Sequence, residues 1–591
     1  MPWTIDAASW TRQLSSPILD GSYPSSLRPV ASSAISMNLS LTTAGRLGFF
    51  IDYSELSAAG THTFYVARTH GSTGAVGVTY TTGGDAHSST TGSINWANTD
   101  MGVKSFTVEV TSAQLTTHQT TNGLGEHRIW AVLSSPTGGG VLHFGTAHTR
   151  AYGVIDNNVL ASDANAVFYD SAASAGTGTQ ASPYNNVYTA IANIGTKRYL
   201  YGKGTTTVTN ANTAVVGGGN TSNVLPVPPT RTGEADRVYV RNWSGSTWTV
   251  TGTGTVSAGF FTTSGESYQT YKGIDFLNLD NSTAANGFGI FYLYGGSIGI
   301  NTEICTADDI NGKAGSNNAA YMPWGVDGGK VWRCTSNNIQ ENGSNVGGNT
   351  AMFETYDGVN ISIQRCEATN SSYMVHHKRV LAPFTVSTSV KFCKDTTQNG
   401  ILYGASGSSG VPHSYTIAQC NLFLPTTGSA RAVRHNPGTG NNGTNNATKH
   451  WWCNNVFYQR GSGAESSIQF KQAYDAIIFN NIYLESRRLW NEETDTSAKG
   501  PVMEYANYEL HFGTTLAGFV YEYQGIPYGT AAELQAVRSD FAVNDAIANP
   551  LFTNAVNGDF TLQGGSPALT GGVDGTQQGL YLGNFYTVGA S

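Results

Sequence analysis

Six cysteines, Cys305, Cys334, Cys366, Cys393, Cys420 and Cys453, recur at gaps of 29, 32, 27, 27 and 33 residues, and none lies elsewhere in the 591-residue chain. Each sits in a similar phrase. GVNISIQRCEATN, TSVKFCKDTTQN, HSYTIAQCNLFLP and KHWWCNNVFYQ run strand-like residues into Cys and then into polar turn residues. YKGIDFLNLDN near Ile274 and DAIIFNNIYLES near Phe479 keep the shape without the Cys. Self-similarity at about 30 residues, built from β-prone segments and Gly/Asn turns, marks a solenoid. Each coil contributes three short strands, and equivalent positions stack ~4.8 Å apart along the axis, so like residues form internal ladders. Cysteine suits such a ladder as a small, buried, mostly apolar residue. The even count also allows disulfides. One cysteine per coil favours a reduced ladder, with Asn421, Asn454 and Asn480 as a neighbouring amide ladder. No CxxC or clustered Cys/His spacing points to a metal.

Composition fits a large, turn-rich β chain. Only 12% of residues are Asp, Glu, Lys or Arg, where about a quarter is usual. Stacked like charges would repel, so a solenoid fills those places with Thr, Ser, Asn, Gly and Cys. The 39% hydrophobic and 11% aromatic content supports a core and excludes a disordered chain. Too few Ala, Glu, Lys and Leu are present for a helical bundle. A net charge of −8 disfavours nucleic acid as partner, and no apolar run is long enough to span a membrane. No basic segment followed by an apolar one opens the chain, so a secretory signal is not expected. A location outside the cell would then be reached by another route, such as a particle.

The phrase NISIQRCEATN resembles the coil repeat of the pectate-lyase-like right-handed parallel β-helix superfamily. AVFYDSAASAGTGTQASPYNNVYTAIANI from Ala166 is similar to that family's opening motif: a strand, a Gly/Ser loop, Ser-Pro and a short capping helix. The tract from TAAELQAVRSDF to GGSPALTGG, with Glu533, Pro550-Leu551-Phe552, Asp559-Phe560 and Ser566-Pro567-Ala568, is similar to its closing segment. The superfamily includes lyases, hydrolases, epimerases and non-catalytic adhesins, so the resemblance implies a fold and leaves the activity open.

Towards the N-terminus, alternating apolar and polar residues at Thr63–Ala67, Val76–Tyr80 and Lys104–Val110 predict antiparallel strands. With LSSPTGG at Leu133–Gly139 and Ile155-Asp156-Asn157-Asn158, this tract resembles a Calx-β domain. Members often bind Ca²⁺ through clustered carboxylates, which the resemblance places at Glu55, Asp85, Glu126 and Asp156. Calcium takes six to eight oxygens, and HSSTTG and TTHQTTNG stand where further acids are expected. A structural spacer is the alternative. The expected architecture is therefore all-β. Residues 1–30 form an arm, 31–160 an immunoglobulin-like Calx-β sandwich, and 161–590 a right-handed single-stranded parallel β-helix with its closing segment. Trp3 and Trp10 in the Pro-punctuated arm suit either solvent or docking onto another virion protein.

Stacked strands suit a long, repetitive ligand. The segments YMPWGVD, AMFETYDG, YMVHHKRV, GILYGAS, RAVRHNP and SIQFKQ align as one column. Glycoside hydrolysis needs two carboxylates, about 5–5.5 Å apart for retention or about 6.5–9.5 Å for inversion. Neighbouring coils supply such distances, so Glu354 and Asp357 are the first pair, with Asp327 as substitute. A lyase needs a base and a cation to stabilise the carbanion, for which His377 and Arg379 are candidates. Trp324, Tyr356, His376, Lys378, Tyr403, Arg434 and His435 are expected to bind sugar. A solvated or intersubunit salt-bridged face is the competing reading.

Three functions stay open. One is a phage-type tailspike or tail-fibre protein, commonly a homotrimer, that binds a bacterial surface polysaccharide, with or without cleaving it. Another is a non-catalytic virion protein or adhesin, and the third a bacterial extracellular lyase or hydrolase.

Overall fold

The computed structural model describes residues between 44 and 580. Residues 281–290, 405–414, 437–448 and 494–502 and shorter loop stretches fall outside the described set. Residues 1–43, including the arm with Trp3 and Trp10, also lie outside it. The chain divides into two compact units at Asn165/Ala166.

The first unit packs two sheets face to face. One orders Lys104–Val110, Gly60–Thr69, Arg46–Ile51 and Val141–Leu142; the other orders Tyr53–Leu56, Arg150–Ile155, His127–Thr137, Val76–Gly84 and Thr91–Trp96. The alternation read from the sequence is the cause. In Lys104–Val110, Phe106, Val108 and Val110 are buried and the residues between them face water. These side chains join Phe49, Phe64, Trp96 and Ile129 in one core. Tyr80 stacks on Phe106 with ring centroids 3.8 Å apart. All three strands expected in this tract form, and the sandwich is Calx-β-like.

The second unit is a parallel β-helix built on a 23-stranded parallel array and a 13-stranded sheet that is parallel except for one antiparallel pair at each end. One coil runs Asn349–Tyr356, Ile361–Gln364, Glu367–Thr369; the next runs Tyr373–Arg379, Val386–Lys391, Lys394–Thr396. Each strand pairs in parallel with its equivalent one coil on, for example Glu367 with Lys394. That pair forms a 2.6 Å salt bridge, so here opposite signs meet across neighbouring coils. The helix Val187–Ala192 closes the first coil. Asn186 caps it, its Oδ1 accepting the Tyr188 and Thr189 N–H groups, and Val187, Ala190 and Ile191 enter the core. Towards the other end, Phe560, Ala568 and Leu580 of the closing segment cover Leu422, Val456, Ile482 and Leu510, one from each of four coils.

The second and third strands of each coil meet at a single residue with left-handed backbone. Ile304, Arg333, Arg365, Phe392, Cys420, Asn454, Asn480 and Tyr508 all have φ between 50° and 59°. Asn tolerates this region, whereas a β-branched residue such as Ile304 is strained there. The next residue in every coil points inward. That column reads Ile274, Cys305, Cys334, Cys366, Cys393, Asn421, Asn455, Asn481, Glu509.

The expected six-rung cysteine ladder is thus corrected to four. Cys420 occupies the left-handed corner and Cys453 the last position of the preceding strand. The amide ladder is corrected too. Asn421 continues the cysteine column instead of flanking it, and its partners are Asn455 and Asn481, since Asn454 and Asn480 form the corner. Loop lengths differ by a few residues from coil to coil, so a one- or two-residue slip is invisible in spacing alone. Cysteine and asparagine share one task here. The thiols of Cys305, Cys334, Cys366 and Cys393 approach the carbonyls of Tyr271, Thr302, Val331 and Ile363. Asn421, Asn455 and Asn481 donate to Val390, Ala418 and Trp452, the next members of that carbonyl column. All six cysteines are reduced and buried.

Candidate functional site

The aligned segments are consecutive strands of the 13-stranded sheet: Asn317–Pro323, Asn349–Tyr356, Tyr373–Arg379, Ile401–Gly404, Val433–Asn436 and Ile468–Lys471. Their pairing is set by a lumenal column, Phe353–Val375–Ile401–Val433–Ile468, every member of it in the core. One residue further along, Glu354, His376, Leu402 and Arg434 share a column. Thr355, His377, Tyr403 and His435 share the next.

Alternation of side chains along a strand sends these two columns to opposite faces. His377 follows the lumenal parity of Val375. It is buried, and its Nδ1 lies 3.0 Å from Oγ1 of Thr388, whose strand neighbour Ile361 belongs to the core. The single wall expected for these residues is therefore split by the pleat. A bulge then shifts the register, so that Lys378 is the extra residue and Arg379 pairs with Tyr356. Bulges of this kind re-aim the strand that follows.

Glu354 and His376 form the closest juxtaposition among the expected site residues that are described. Oε2 of Glu354 stands 3.7 Å from Nδ1 of His376, with both side chains enclosed. The His376 ring lies 5.2 Å from that of Tyr373. Asp327 does not join them. Tyr321 pairs with Phe353, so Met322 stands beside Glu354 and Asp327 lies five residues further along. Its backbone bridges Ile298 and its carboxylate accepts a 2.8 Å hydrogen bond from Asn360. Burial raises the Asp327 pKa, with the Asn360 bond opposing it. Trp324 and Asp357 lie outside the described residues. Tyr356, Lys378, Arg379, Tyr403, Arg434 and His435 are placed by strand register alone.

Three of the four carboxylates expected to hold calcium have partners of their own. Glu126 is buried in an ion pair with Arg128, Oε1 to Nε at 2.6 Å. Oδ2 of Asp85 accepts the Arg128 backbone N–H, and Oδ1 of Asp156 accepts that of Asn158. Among the described residues no three His, Cys, Asp or Glu side chains gather as a metal set. Of the four, Glu126 alone is buried, and the Arg128 guanidinium already neutralises it.

Three acids whose carboxyl pKa is raised by desolvation, Asp395, Glu509 and Asp545, carry no signal in the local sequence. Asp395 sits in the β-helix core, its Oδ1 accepting the Thr397 N–H, and burial pushes its pKa up to about 6. Glu509 is the inward ladder residue of the last full coil, and Asp545 of the closing segment accepts its backbone N–H. Only the ladder register could have signalled Glu509, because YANYELHF continues the coil phrase with an acid at the inward place.

No family model and no curated protein matches the chain. Among solved structures, the apo-form Calx CBD1 domain is 16% identical, with 19% of this chain and 95% of that one covered and a TM-score of 0.16. The catalytic domain of a GH87 alpha-1,3-glucanase in complex with nigerose is 11% identical, with 86% and 96% covered and a TM-score of 0.22. The Agl-KA catalytic domain is 9% identical, with 80% and 90% covered and a TM-score of 0.24. Likenesses this low say nothing of activity.

Proposed function

We propose that the β-helix binds an extended polysaccharide along its 13-stranded sheet, and that Glu354 with His376 is the proton-transfer pair acting on it. The observation that carries this is a carboxylate and an imidazole 3.7 Å apart on adjacent coils, in a chain that spends only 12% of its residues on charge. Such a pair exchanges a proton once it closes from 3.7 Å to hydrogen-bond distance. As an acid, Glu354 would protonate a leaving glycosidic oxygen, with Asp357 as the second carboxylate. As a base, His376 would remove the proton α to a uronate carboxyl. The register places Arg379 and Arg434 beside this column or within it, which suits an anionic sugar. Both members of the pair are enclosed, so chemistry there requires the covering chain to open.

In its finer form the proposal makes the protein a receptor-binding tailspike or tail fibre, homotrimeric and docked to the virion through residues 1–30. The Trp3/Trp10 arm, the unpaired cysteines and the β-helix body support that form.

The test is incubation with capsular and lipopolysaccharide glycans, reading new reducing ends for hydrolysis and ultraviolet absorbance of unsaturated uronates for elimination. Glu354→Gln should abolish cleavage while leaving glycan binding and the melting curve in place. Cleavage at the wild-type rate by this variant would refute the pair. Binding without any product would leave an adhesin.

A further inference from the structure

The inward ladder does not stop at the last full coil. Asn481 Nδ2 donates to Oε1 of Glu509 at 3.2 Å. The Glu509 backbone N–H then donates to Oδ1 of Asp545 at 3.0 Å. In each rung before it, an asparagine Oδ1 receives the backbone N–H of the ladder residue one coil earlier: Asn421 that of Cys393, Asn455 that of Asn421, Asn481 that of Asn455. Asp545 therefore takes the next acceptor place, directly before the short strand Ala546–Ile547 that adds the last parallel rung to the sheet. It is carried by the closing segment, which docks through Ala542 N–H to Ala506 O, Ala546 N–H to Glu509 O and Ala548 N–H to His511 O. Tyr521 fastens the other oxygen, its hydroxyl donating to Oδ2 at 2.9 Å.

We propose that Glu509 and Asp545 form a proton-operated latch, which holds residues 541–548 on the last coil in mildly acidic medium and releases them as the medium becomes alkaline. Glu509 is fully buried, and among the described residues neither acid has an ion-pair partner. The titratable groups that face them are Tyr483, Tyr521 and Cys453. Burial raises the pKa of each, so none offers a positive charge. His511, two residues on, is held neutral by burial, its pKa lowered to about 4. Two carboxylates in one dry site cannot both ionise without cost. Asp545 is half-exposed as a residue, but its carboxylate is enclosed, and burial pushes its pKa up to about 7 against the opposing Glu509 N–H and Tyr521 hydroxyl. Burial and then the Asp545 charge raise that of Glu509 as well.

A raised carboxyl pKa stabilises the docked state at low pH. That stability is lost as pH rises from the undocked value towards the docked one. Taking Asp545 alone, about 7 docked against 3.8 free, the opening constant of the segment should rise about 30-fold between pH 5.5 and 8.5. Hydrogen exchange of the full chain reads this directly, as protection of the Ala542, Ala546 and Ala548 amides corrected for intrinsic exchange at each pH. Asp545→Asn should flatten the dependence, and Glu509→Gln should reduce it. Wild-type protection that stays constant across this range would overturn the latch, whatever the variants do. So would an unchanged pH dependence in Asp545→Asn.

Discussion

Replacing Asn455 by alanine tests the inward ladder most sharply. The Asn455 side chain donates to Ala418 O at 2.9 Å and to Asn481 Oδ1 at 3.0 Å. Its Oδ1 accepts both the backbone N–H and the Nδ2 of Asn421, each at 3.0 Å. Truncation leaves the buried Asn421 N–H without this acceptor and takes one bond from each of three further buried groups. An orphaned buried donor costs about 1–3 kcal/mol and each other lost bond about 1 kcal/mol, so the loss should be about 4–6 kcal/mol. Cys366→Ala perturbs the same column three coils earlier. It loses a sulfur atom and a weak thiol contact with Val331 O at 3.6 Å, about 1–2 kcal/mol. Asn455→Cys restores a donor towards Ala418 but no acceptor, and should fall between them. The assay is guanidinium-induced unfolding of the full chain followed by tryptophan fluorescence. Unfolding rates are compared alongside midpoints, because large chains often unfold irreversibly. Asn455→Ala no more damaging than Cys366→Ala would refute the view that the amides, more than volume, hold these coils in register.

Thiol titration should find six free cysteines after unfolding without reductant and almost none reactive in the native state, since all six are buried; fewer than six would reveal a disulfide. Calcium should leave the melting of the N-terminal sandwich unchanged, because Arg128 already neutralises Glu126 at 2.6 Å; a calcium-dependent rise in Tm would refute that account. Arg128→Ala should strand a buried carboxylate and cost about 3–5 kcal/mol, checked by the same melts.

The sequence alone carried the solenoid. Strand-like phrases recurring at Cys334, Cys366 and Cys393 can stack only if each coil buries a small residue at the same place, and composition then follows from stacking. The alternation in Lys104–Val110 likewise specified a half-buried strand, because period-two patterning has one physical solution. The tertiary structure decided what depends on register. Whether residue 420 or 421 points inward is a one-residue question, and a one-residue slip moves a side chain to the other face. That is why Cys420 left the ladder and Asn421 joined it, and why His376 meets Glu354 while His377 turns to Thr388. Asp545 lies 36 residues beyond Glu509 along the chain. Their meeting depends on how the closing segment folds back over the last coil, which no local pattern encodes.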